Sequence, residues 1–326
     1  MVVLDKKDRR ILYELEKDSR ESDAAIAKIT NLNKQTVRYR INSLYEKGII
    51  KMFQTSINLG KIGLDIYGNI YFQLQNTTAE KEKEIINYLC NNKNVAYVAS
   101  LGGGFDLSIV VMGKNILEFM EKLEEVTSPY PQLNKKIISL RVSGTKFNKK
   151  YLLDEKERNI LSKMTIIKQS SEKTEITDID MEVLKILTQN SRTSLVEISQ
   201  KLKKPATTIF MHVRKLTNQG VISGFPLLLD LKAIDIQNYK TLITLSEQSE
   251  ENEKKLISFC HNNPNITWFF KTIAPWNYEI RIEIGSQEEY QQVIKDLRTY
   301  CGTAIEKIET ITVFTEHKED YSTIFT

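Results

Sequence analysis

No run among the 326 residues approaches the ~18 uninterrupted apolar side chains that a membrane helix needs, so neither a spanning segment nor a membrane partner is expected. The opening MVVLDKKDRR becomes charged within a few residues and has no apolar signal core, which points to a cytoplasmic chain. Cysteine is scarce. Cys90, Cys260 and Cys301 are odd in number and form no CxxC, which argues against a disulfide framework or a zinc site and suits a reducing compartment. Histidine is equally scarce, with only His212, His261 and His317. Walker A and GxGxxG motifs, metal-ligand clusters and nucleophile–base pairs are all missing, so no catalytic residue, metal or cofactor is expected.

What the chain does have is length, an uneven charge distribution and self-similarity. Its length favours more than one domain, because single cores stop growing well before it. The net charge is +4, yet residues 1–170 carry 28 Lys+Arg against 20 Asp+Glu (+8) and residues 171–326 carry 18 against 22 (−4). Any polyanion should therefore be drawn mainly to the first half. Displaced by 172 positions, the chain matches itself: Asp8 falls on Asp180, Ser19-Arg20 on Ser191-Arg192, Ile26 on Ile198, Leu44 on Leu216, Gly48 on Gly220 and Tyr67 on Tyr239. After one deletion, Asn91–Tyr97 falls on Asn262–Trp268. Two copies at so long a period mean a domain duplication, since solenoid repeats run ~20–50 residues.

Each copy opens with helical periodicity. Ile11, Leu12 and Leu15 form one stripe, Ser22 caps a short helix carrying Ala25, Ile26 and Ile29, and Asn33 caps a helix from Lys34 to Lys47 that Gly48 closes. Two short helices joined by a tight turn make a helix-turn-helix, and Ile49 to Asn58 alternates as a wing hairpin would. The remainder reads βαββαβ, with strands near 67–75, 95–101, 105–112 and 136–146, helices near 79–91 and 115–126, and the same order in copy two. The fold class is thus α+β: two winged helix-turn-helix units, each followed by a ferredoxin-like domain. The boundaries are 1–60 and 61–151, a charged linker at 152–177 that is partly helical or extended, then 178–232 and 233–326. Each sheet's bare face needs a cover, and the second copy supplies one at high effective concentration.

The pattern Val37-x-x-Arg40-Ile41-x-x-Leu44-x-x-x-Gly48-Ile49-Ile50, the opening Leu4-Asp5-x-x-Asp8-x-x-Ile11-Leu12, and Gly104-Phe105-Asp106 between the second and third sheet strands resemble the Lrp/AsnC (feast–famine) regulators. The resemblance takes in both copies and implies double-stranded DNA as partner, dimerisation through an ACT-like sheet domain, and a small-molecule effector such as an amino acid. It also implies a homo-oligomer: a pseudo-dimer within the chain and a dimer of chains. One copy per chain is the family habit, so the tandem form departs from it. So does copy two, which has His212 for Arg40 and Pro275-Trp276-Asn277-Tyr278 for Gly104-Phe105-Asp106-Leu107.

With Val37, Ile41 and Leu44 inward, the first recognition helix turns Gln35, Arg38, Tyr39 and Asn42 outward, flanked by Lys34 and Thr36. Arg can fork onto guanine, and Gln or Asn onto adenine. Arg40, nearer the rim, and Lys51 in the wing suit phosphate contacts that set register. The same face of copy two shows Thr207, Phe210, Met211 and Arg214, with Lys203 and Lys204 ahead of it. Phe and Met suit thymine methyls or a protein contact, so copy two is expected to bind DNA weakly or to serve as an interaction surface. Gly102-Gly103-Gly104 with Asp106 form either an effector loop or a plain bend capped by the carboxylate. Two further readings stay open. The siroheme decarboxylases are similar in fold but rely on histidines around a tetrapyrrole, and none of the three here lies by the β2–β3 motif of its copy. An assembly or sensor protein would use both helix-turn-helix units for protein contacts.

Overall fold

Asp5 accepts a hydrogen bond from the Asp8 amide at 2.7 Å and starts α1 (Lys6–Lys17), whose Ile11, Leu12 and Leu15 are fully buried. Each such burial stabilises the unit by about 1.5–3 kcal/mol. α2 (Asp23–Thr30) begins at the Ser22 cap and stops at Asn31, which takes the left-handed conformation. α3 (Lys34–Glu46) begins at Asn33, whose side chain accepts from the Thr36 amide at 2.7 Å. It ends at Gly48, where a φ of +71° would strain a side chain. The computed structural model describes residues 4–158, 165–168 and 173–321. Copy two repeats the trio as α6 (Asp178–Gln189), α7 (Leu195–Leu202) and α8 (Ala206–Asn218), which Gly220 closes at φ +70°.

The wing differs from the hairpin expected within each copy. β1 (Ile50–Phe53) pairs with β9 (Leu227–Leu229), and β2 (Ser56–Ile57) pairs with β8 (Ile222–Gly224). The wings are exchanged between the copies. Leu227, Leu229, Leu231 and Ile234 of copy two consequently sit in the core of the first helix-turn-helix. Alternation in a single strand shows that it has one buried face, not which strand it pairs with, so the exchange was not readable from the pattern.

The sheet domain of copy one comprises β3 (Ile66–Phe72), α4 (Ala79–Asn91), β4 (Val95–Gly102), β5 (Leu107–Gly113), α5 (Ile116–Thr127) and β6 (Lys136–Lys146). The linker region contributes β7 (Thr165–Lys168), which adds to β6; residues 159–164 and 169–172 of that region lie outside the described residues. Copy two has β10 (Gln237–Leu245), α9 (Glu250–Asn262), β11 (Ile266–Ile273), β12 (Tyr278–Ile284), α10 (Gln287–Cys301) and β13 (Ile305–Glu319). Each βαββαβ unit is as expected. Helices cover one face, burying Ile70, Phe72, Ile109 and Phe119 in copy one and Ile243, Phe269, Ile280 and Ile282 in copy two.

The bare faces are covered by closure. The last strand of each copy outruns its own sheet and pairs onward: Lys136–Leu140 lies on β3 while Leu140–Lys146 lies on β11, and β13 passes from β10 to β4. The order β11-β12-β10-β13-β4-β5-β3-β6 then returns to β11. This is an eight-stranded antiparallel barrel made of two sheets of four, in which all four free edges find partners. Tyr67, Tyr71, Tyr97, Val110, Leu242, Trp276 and Ile311 pack together inside it.

Candidate nucleic-acid interface

The two helix-turn-helix units meet across a pseudo-two-fold axis made by equivalent residues. Ser19 Oγ and Ser191 Oγ lie 2.6 Å apart. Arg20 donates to the carbonyls of Ser191 and Thr193, and Arg192 donates to those of Ser19 (2.9 Å) and Glu21. The Ser19 amide donates to the Phe225 carbonyl and the Ser191 amide to that of Phe53. Each arginine lies over the opposite copy's Phe, at 5.5 Å in both cases. A contact in which residue i meets j and j meets i is isologous, the geometry of a two-fold dimer. The signal for it was in the sequence: Ser-Arg stays identical in both copies while the recognition faces diverge.

The clasp holds α3 and α8 as a related pair, and their outward faces differ. On α3, Val37, Ile41 and Leu44 are buried, while Lys34, Gln35, Arg38, Tyr39 and Asn42 are exposed, Tyr39 at 73%. Thr36 is half-buried on the flank. On α8, Thr207 and Arg214 are exposed beside Phe210 (48%) and Met211 (60%). Lys203 takes the left-handed conformation that ends α7, and the neighbouring Lys204 is exposed too, its carbonyl accepting from Ser199 Oγ.

Arg40 is a correction. Its guanidinium bridges Asp5 (2.7 Å) and Asp8 (2.6 Å) rather than standing free at the rim for a phosphate. These carboxylates hold it well into the charged form. The pair ties α1 to α3, and copy two makes the same tie with other residues. Asp180, fully buried, accepts from His212 Nδ1 and Lys215 Nζ, each at 2.7 Å. Burial works to raise the Asp180 carboxyl, but the bonds from Lys215, His212 and Thr177 hold it well below the usual carboxylate range. His212 thus stands in for Arg40 as a helix tie. Lys51 is exposed on β1, beside Asp230 at 3.7 Å, and so sits on the exchanged ribbon rather than on a hairpin tip.

Gly102, Gly103, Gly104 and Asp106 form a tight bend between β4 and β5. A Cβ on Gly102 would stand 2.4 Å from the Phe314 ring, and Gly103 has φ +109° with the Thr310 carbonyl against it. The Asp106 carboxylate accepts from the Leu74 amide at 2.8 Å, and the Gly104 carbonyl accepts from Gln73. These glycines let copy one's loop approach β13 of copy two. The cavity, of about 220 Å³, lies elsewhere, between the barrel and the exchanged wings; Tyr67, Tyr97, Arg141, Lys240 and Phe270 line it below, Gln54, Thr55 and Asn58 above. Sequence reasoning missed it, because its walls come from both copies.

Residues 4–51 and 176–223 each match the family described as winged helix-turn-helix DNA-binding. The chain is similar to an HTH-type transcriptional regulator of Pyrococcus horikoshii, 31% identical over 128 residues that make up 38% of this chain and 85% of the relative. It is similar also to the HTH-type transcriptional regulator FL11 of Pyrococcus abyssi, 32% identical over 127 residues, 39% of this chain and 82% of the relative. Among solved structures it resembles the siroheme decarboxylase NirDL, with a TM-score of 0.62, 97% of this chain and 93% of the other covered, and 14% identity. That last likeness is one of fold.

Proposed function

Since the chain belongs to the HTH-type transcriptional regulators and carries their winged helix-turn-helix unit twice, we propose that it is a sequence-specific regulator of the Lrp/AsnC kind whose two recognition helices act as one unequal pair. The observation that carries this reading is the isologous clasp at Ser19 and Ser191, which relates α3 to α8 while their outward side chains differ. DNA is itself two-fold symmetric, so a two-fold protein favours an inverted repeat. Here the repeat should be imperfect. Arg38, Gln35 and Asn42 suit base edges in one half-site, with Lys34, Thr36 and Tyr39 beside them. Arg214, Thr207, Lys203 and Lys204 suit backbone contacts in the other, where Phe210 and Met211 meet a thymine methyl or a protein. Lys51 adds a backbone contact from the ribbon.

We also propose that a small molecule modulates this binding. The cavity lying directly under the exchanged wings supports it, because an occupant would touch the element that joins the two DNA-binding units. His212 ties α6 to α8, His261 lies near Phe147, and His317 bonds Ser100, so the histidines favour no tetrapyrrole chemistry.

Selection of bound duplexes from a random pool, followed by a salt titration of affinity, tests the main reading. An enriched, imperfect inverted repeat with a steep loss of affinity between low and moderate salt is expected. An unenriched pool, or binding indifferent to salt, would contradict it.

A further inference from the structure

The barrel encloses several charged side chains, and most of them are paired. Arg281 meets Glu316 at 2.6 Å and Glu283 at 3.4 Å. Glu279 accepts from Tyr71, Ser139 and Trp276, and Glu283 accepts from Lys149 and Tyr151. Among the described residues, two cations are left over. The Arg141 guanidinium lies between the rings of Tyr67 (4.1 Å) and Phe270 (3.8 Å); no carboxylate among the described residues is within ion-pair reach, and its buried Nε has no hydrogen-bond partner. The Lys240 ammonium sits over Tyr71 (5.2 Å) and Tyr97 (5.0 Å), with only a long contact of 3.4 Å to Ser108 Oγ. Burial pulls this ammonium down to about 8, against the pull of Glu279 and Glu316 and with the help of the neighbouring Arg141 and Arg281.

Both residues line the cavity of about 220 Å³, together with the rings of Tyr67, Tyr97, Trp268, Phe270 and Tyr321 and the charged Glu279, Arg281 and Asp320. A void of ~150 Å³ already holds benzene, so a ligand of roughly ten heavy atoms fits. We propose that this cavity binds a small organic carboxylate with an apolar or aromatic body, its anion held by Arg141 and Lys240. A guanidinium already clamped between two rings loses little freedom on binding and offers its edge to both carboxylate oxygens. Tyr67, Tyr97, Trp268 and Phe270 then cover the body, which bare inorganic phosphate would leave uncovered. Glu319 also lines the cavity, and its Oε2 lacks a partner. Burial and the neighbouring Glu316 push its carboxyl up, so it can offer a proton to the same anion.

The roof connects the site to the DNA-binding pair. Gln54 donates to Glu319 Oε1 at 3.3 Å, and Thr55 Oγ1 donates to the Leu187 carbonyl of α6 at 2.6 Å. The consequence for DNA rests on the effector reading above; the site itself does not. Calorimetry on the full chain with phenylacetate, neutral phenylacetamide and inorganic phosphate tests the site. Saturable one-to-one binding of phenylacetate is expected, at least tenfold tighter than the amide, and at least tenfold weaker in Arg141→Met and in Lys240→Met. Melting curves establish that each variant is folded, and either one suffices. No saturable heat with phenylacetate, equal affinity for the amide, tighter binding of phosphate, or full affinity in a folded variant would overturn the proposal. A parallel gel shift separates the two ideas: phenylacetate that binds but leaves DNA affinity unchanged supports the site and contradicts the effector reading.

Discussion

Single residues separate the two jobs of the recognition helix. Arg38 stands exposed on α3, whereas Arg40, two positions on, is held by Asp5 and Asp8. Arg38→Ala should weaken operator binding by about 1–3 kcal/mol if it reads a base, with little change in melting temperature. Arg40→Ala should do the reverse, lowering the melting temperature through the lost α1–α3 tie; gel shift and calorimetric melting together check the pair. Asp180 gives a pH test. Its folded carboxyl is held below the unfolded value, so its contribution is full above the ordinary carboxylate range and lost as pH falls through the folded value. Asp180→Asn should cost about 3 kcal/mol near neutrality, because it leaves Lys215 and His212 facing a neutral group. The gap between the two proteins in denaturant titrations should narrow below about pH 4. A gap constant with pH would refute the assignment.

Elements show how far the sequence could be read. Helix caps, the turn glycines and both βαββαβ orders were legible, because each depends on residues close in the chain: Asn33 on Thr36, Gly48 on the end of α3. The wing exchange was not. Ile50 to Phe53 alternates equally well against its own β2 or against β9, and only the folded pair decides. Glu279, Arg281 and Glu283 alternate along β12 and face into the barrel, buried or nearly so, and alternation alone does not tell a barrel interior from a solvent face. Arg40 misled for a related reason: its carboxylate partners lie on another helix. The clasp joining the units is testable at this scale. Arg192→Ala removes the pair with Asp23 at 2.8 Å, two carbonyl contacts and the stacking on Phe53. It should destabilise the helix-turn-helix pair by about 2–4 kcal/mol. A smaller loss is expected of Arg20→Ala, which has the matching carbonyl contacts and the stacking on Phe225 but has Leu195 at the position equivalent to Asp23, the partner of Arg192; denaturant unfolding measures both.

For the whole molecule, duplication inside one chain does what a dimer interface does, with a difference. Two identical subunits must present identical recognition helices, whereas two fused copies are free to diverge, and α3 and α8 have. The barrel, the exchanged wings and the clasp retain the two-fold frame while the outward faces of α3 and α8 differ. A hydroxyl-radical footprint on the selected operator, with intact protein and with Arg38→Ala and Arg214→Ala, tests this unequal pair most directly. Protection in two segments related by a two-fold is expected, strong in one and weak in the other, with Arg38→Ala erasing the strong segment and Arg214→Ala leaving it intact. Equal protection of both segments, lost equally in the two variants, would contradict it.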